Sequence, residues 1–105
     1  MAGLGKFLKQ AQRMQEQMQK VQEELAQREV EATSGGGAIT ATAKCDGTIA
    51  RIKIDPKVVD PNDVEMLEDL IVSAVSNALE LAKKTQNDEM GKLTAGMNLP
   101  PGLSL

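Results

Sequence analysis

The sequence predicts an α+β fold in which a long helix, a three-stranded antiparallel sheet and a second long helix follow one another (αβββα). Three observations carry this. Apolar residues at Leu4, Phe7, Ala11, Met14, Met18, Val21 and Leu25 step alternately by three and four, the spacing of one helical stripe. Between Arg28 and Asp55 the period changes to two, punctuated by Gly-rich and Asp-Gly turn signals. From Val64 to Leu81 the steps of three and four return. The expected bounds are a helix over about 4–27, strands over about 28–34, 38–45 and 48–55, a helix over about 61–94 and a Pro-containing tail over about 95–105, all within one domain.

The first helix contains no proline, and the glutamines at 10, 12, 15, 17, 19 and 22 that fill it are competent helix formers. At about 1.5 Å per residue it is roughly 30 Å long, whereas a compact domain of this size has a radius of gyration of about 13 Å. The helix should overhang its own domain. An apolar stripe that outruns its domain needs a partner, and the simplest is a second copy of the chain, so a homodimer is expected.

Charge is polarised along this helix. Residues 1–22 carry Lys6, Lys9, Arg13 and Lys20 against Glu16 alone, whereas Glu23, Glu24, Glu29 and Glu31 outnumber Arg28 in the next nine residues. With Leu4 at heptad position a, Lys6, Arg13 and Lys20 fall at c and Lys9 at f, so the basic groups share one face away from the seam. Lys9 and Arg13 repel at i, i+4, and cations near a helix N-terminus oppose the macrodipole. Stability alone would not choose this placement. On spacing alone, an ordinary solvated face, with Glu16 and Lys20 paired at i, i+4, reads ahead of an anion-binding face.

In the strand region, Asp46-Gly47 is a hairpin signal. With Cys45 opposite Thr48, the pairs Ala43/Ala50, Ala41/Ile52 and Ile39/Ile54 form an apolar face, and Lys44/Ile49, Thr42/Arg51 and Thr40/Lys53 a largely polar one. Ser34-Gly35-Gly36-Gly37 makes a second connection. Pairing Ala32 with Ile39 then aligns Glu31, Thr40 and Lys53 across the three strands, and Glu29, Thr42 and Arg51 beside them, as charge ladders. Arg51 and Lys53 therefore read as surface ladder residues ahead of DNA contacts. The triple glycine lacks the following Lys-Ser/Thr of a phosphate-binding loop and reads as a hairpin connection.

Asp55-Pro56 ends the third strand. Asp60 with Pro61 at the first helical position, or Asn62 with Glu65 three residues on, can start the second helix. Its stripe Val64, Leu67, Ile71, Ala74, Ala78 and Leu81 is broadened by Leu70, Val75, Leu79 and Ala82 into a face that can cover a sheet. Gly91 could end it early. The two prolines of the tail exclude helix and central strand.

Composition narrows function. The 105 residues include one Phe, no Trp, no Tyr and no His, with a formal net charge of −3. Without aromatic platforms, single-strand binding by base stacking is disfavoured. Without histidine, Ser/His/Asp and Cys/His catalysis and His-containing zinc sites are excluded, and no catalytic residue, cofactor, metal or small-molecule substrate is expected. Asp46, Asp55, Asp60 and Glu65 could ligate a hard cation, but turns and caps account for them. Cys45 is alone, which suits a reducing, cytoplasmic setting. No run approaches the length of a membrane span, so no membrane partner is expected.

Four separated blocks carry a resemblance: Lys9-Gln10-Ala11-Gln12 through Met14-Gln15-Glu16-Gln17-Met18, Ile52-Lys53-Ile54-Asp55-Pro56, Met66-Leu67-Glu68-Asp69-Leu70 and Gly96-Met97-Asn98-Leu99-Pro100-Pro101-Gly102. In this order, across nearly the whole chain, the sequence resembles the YbaB/EbfC family of small bacterial nucleoid-associated proteins. The resemblance implies the same element order, a tweezer-like homodimer with projecting helices, and binding to double-stranded DNA in the nucleoid. It carries over no contact residues. The physical candidates are Lys6, Lys9, Arg13 and Lys20, with recognition through backbone and shape and an influence on nucleoid organisation and gene expression. The alternative is a protein-interaction adaptor for replication or recombination proteins, docking through the first helix or the tail.

Overall fold

The computed structural model describes residues 2–96. Helix α1 spans Ala2–Gln27, strands β1, β2 and β3 span Glu29–Ser34, Ile39–Lys44 and Ile49–Ile54, and helix α2 spans Val64–Gly96. The sheet is antiparallel in the order β1-β2-β3, with β2 in the centre. The Pro100-Pro101 tail lies outside the described residues.

Alternation sets the faces. On the side toward α2, Ile39, Ala41 and Ala43 of β2 are fully buried beneath Ala74, Ala78 and Ala82, which recur every four residues along α2. Alanine on alanine lets the helix lie close to the sheet. Val30, Ala32, Ile54, Val58, Leu67, Leu70, Ile71, Val75 and Leu79 pack around this strip. α2 rests on β1 and β2. The inner face of β3 is left partly open, so Ile52 is 40% exposed although it pairs with fully buried Ala41.

The register differs from the expected one at both hairpins. At β1–β2 the slip is two residues: Ala32 pairs with Ala41 and Ser34 with Ile39. The faces survive because the side-chain period is two. The connection is tighter than expected because Gly35, Gly36 and Gly37 all adopt positive φ, letting the chain reverse within Gly35–Ala38. At β2–β3 the Lys44 N–H donates to the Thr48 carbonyl at 2.8 Å, enclosing Cys45-Asp46-Gly47 in a three-residue loop in place of a two-residue turn. Gly47 has φ 94 there. A bulge then restores the expected pairs from Thr42/Arg51 onward and sets Ile49 opposite Ala43, on the apolar face.

Neither anticipated cap begins α2. Asp63 accepts from the Met66 N–H at 3.2 Å and so occupies the N-cap, while Asp60 closes a separate turn by accepting from the Asn62 N–H at 2.9 Å. The helix passes through Gly91 and reaches Gly96.

α2 enters beside Ser34, whose hydroxyl donates to the Leu70 carbonyl at 2.6 Å, and leaves the sheet beside Arg28, whose guanidinium pairs with Glu89 at 3.2 Å. Its last turns project past the sheet, and α1 packs along α2. The stripe of α1 therefore has two fates. Leu25 is buried and Met14, Met18 and Val21 are half-buried, whereas every residue from Gly3 to Arg13 is exposed. Part of the partner anticipated in a second copy is α2 of the same chain. The radius of gyration is 20.0 Å and the extents are 75 × 24 × 16 Å, so the helices do overhang the sheet.

Candidate nucleic-acid interface

Lys6, Lys9, Arg13 and Lys20 are all exposed on α1, and none takes part in an ion pair among the described residues. The i, i+4 bridge from Glu16 to Lys20 is therefore not formed. At about 100° per residue the four fall within a sector of roughly 60°, centred roughly 120° around the helix from the stripe that Met14, Met18 and Val21 turn toward α2. Packing α1 by its apolar side thus points the basic side outward. Lys20 differs from the other three, because it borders a shallow open depression shared with Glu23, Glu24, Gln27 and Arg28. Along α1 the positive charge is concentrated in the first half, where no acid occurs before Glu16.

The remaining described cations with ion-pair partners are committed elsewhere. The Arg51 guanidinium bridges Glu29 at 2.6 Å, reaching from β3 to β1 over the polar face of β2. Thr42 in the row beneath is only 2% exposed, and no buried side-chain polar atom among the described residues lacks a partner. Glu29 raises the affinity of Arg51 for its proton, by hydrogen bonding and then by charge. The expected row partner of Glu29 was Thr42; the two-residue slip places it opposite Lys44, and Arg51 reaches it diagonally.

One structural contact had no signal in the sequence. Glu89 accepts from Arg28 at 3.2 Å and from Lys92 at 3.4 Å, which clasps the end of α1 to the projecting part of α2. Its carboxyl is held below the usual glutamate range by the Lys92 ammonium first and by Arg28 second. The clasp sets the base of the arm that carries the basic face.

Residues 1–97 match the YbaB/EbfC DNA-binding family. This chain belongs to that family. A nucleoid-associated protein of Clostridium novyi is 52% identical over 97 residues, covering 92% of this chain and 85% of its own length. Another, from Acetivibrio thermocellus, is 49% identical over 100 residues, covering 95% and 88%. An uncharacterized protein from Helicobacter pylori matches with a TM-score of 0.71 at 18% identity, over 87% of this chain and 92% of that one. The last likeness concerns the fold alone.

Proposed function

We propose that this chain is a homodimeric nucleoid-associated protein of the cytoplasm that binds duplex DNA through its sugar-phosphate backbone and shape, and acts on gene expression by organising the chromosome, without catalysis. The observation that carries the reading is the outward face of Lys6, Lys9, Arg13 and Lys20, without ion pairs among the described residues, in a DNA-binding family member whose formal net charge is −3. Glu23, Glu24, Glu29 and Glu31 repel phosphate at the other end of α1 and confine contact to the arm.

A second copy fits the open inner face of β3. Ile49 and Ile52 lie there at 37% and 40% exposure, beside a strand edge that is unpaired among the described residues and next to the fully buried row Ala41 and Ala43. Joining two copies at this face turns two arms toward one duplex. Full engagement of both basic faces gives a slope of log affinity against log salt of about −7, and partial engagement a shallower one. The absence of aromatic residues on the arm apart from Phe7 suits backbone and shape recognition over base readout.

A gel shift with a salt titration tests the interface. Alanine at all four basic positions should abolish the shift at moderate salt and flatten the slope; unchanged binding refutes the site. Sedimentation tests the dimer independently. Ile52→Glu should yield folded monomers that bind DNA more weakly, since the side chain is already half in water in one copy.

A further inference from the structure

From Gly3 to Arg13, α1 is a bare helix with two unlike sides. Leu4, Phe7 and Leu8 are 61%, 64% and 55% exposed. With Ala11 they occupy an arc of about 100°, and Lys6, Lys9 and Arg13 lie across the helix from it. No acidic residue interrupts the segment. DNA binding uses only the basic side and leaves the apolar one in water.

We propose that this tip lies in the plane of an anionic lipid surface. Leu4, Phe7 and Leu8 enter the boundary between headgroups and acyl chains, and Lys6, Lys9 and Arg13 hold the helix there through the negative surface potential. The helix is only about 10 Å across, so cations on its upper side stay within about one Debye length of the lipid phosphates. Charge selects this occupant. A paired tip from a second copy leaves the cations unneutralised, and Leu4 to Met14 spans fewer heptads than a self-sufficient coiled coil needs. An anionic bilayer attracts the cations and takes up the apolar side chains at once. The expectation of no membrane partner rested on the length needed to span a bilayer, which does not bear on a helix lying in its surface. The inference shares three cations with the DNA reading but rests on the opposite side of the helix, so the two fail separately.

The test is co-flotation of the full chain with vesicles, paired with the DNA gel shift. Vesicles of mixed phosphatidylglycerol and phosphatidylcholine should carry the protein at low salt, and pure phosphatidylcholine should not. The triple change Leu4→Ser, Phe7→Ser and Leu8→Ser, at exposed positions, should reduce flotation by about tenfold or more with circular dichroism and the DNA shift unaltered. No flotation of the unmodified chain, or flotation undiminished by the triple change, overturns the proposal. A parallel loss of DNA affinity overturns it in favour of an apolar wedge in the duplex, and a shift to smaller assemblies in favour of a contact between copies.

Discussion

Gly35 shows how much one hydrogen atom decides. Its φ is +60, and a Cβ there would stand 3.1 and 3.3 Å from the two methyls of Leu70. Gly36 has φ +67 but nothing within 4 Å of the same addition. Gly36→Ala should therefore cost only the left-handed backbone penalty, roughly 1–2 kcal/mol, and Gly35→Ala should cost more, since Leu70 must also give way. Urea unfolding of the two variants checks the order. Cys45 offers a second test at this scale. It is 1% exposed, and burial pushes its thiol up from the ordinary value while Arg28 pulls the other way. The native protein should react slowly with a thiol-specific disulfide reagent at neutral pH, and promptly once unfolded in urea. Equal rates in the two states would place the thiol at the surface.

The elements differ in how far their local sequence determines them. Both helices and the two faces of the sheet follow from spacings within each segment, and so does the common face of Lys6, Lys9, Arg13 and Lys20. Register does not follow, because a slip of two residues keeps Val30 and Ala32 on the apolar side and leaves the pattern unchanged. The bulge near Ala50 is equally hidden, since alanine suits either face. The Arg28–Glu89 clasp joins residues 61 apart, and neither neighbourhood marks it. Its pH dependence has a definite sign. The folded Glu89 carboxyl is depressed, so its contribution is complete above the ordinary glutamate range and disappears as the pH falls through the lower folded value. Glu89→Gln should accordingly be less stable than the unmodified chain at neutral pH, with the gap closing on acidification. Thermal melts of both proteins across that range check it; a gap that widens in acid contradicts the assignment.

At the scale of the molecule, one helix face lying on two of three strands leaves the structure slender, with its basic arm held away from its acidic end. Lys6, Lys9 and Arg13 precede Glu23 by ten residues or more of helix, about 15 Å or more, which sets charges that attract a polyanion apart from those that repel it. The narrowest dimension, 16 Å, has a different effect. A layer that thin shelters nothing by depth, so the resistance of a backbone amide to solvent deuterium must come from its own bonding and from cooperative opening. β2 is the strand with a neighbour on each side among the described residues. Deuterium uptake should be slowest along Ile39–Lys44 and fastest at the start of α1, and uniform uptake along the chain would contradict this ordering. The middle strand then serves as the timekeeper of the protein, the last part of it to forget its fold.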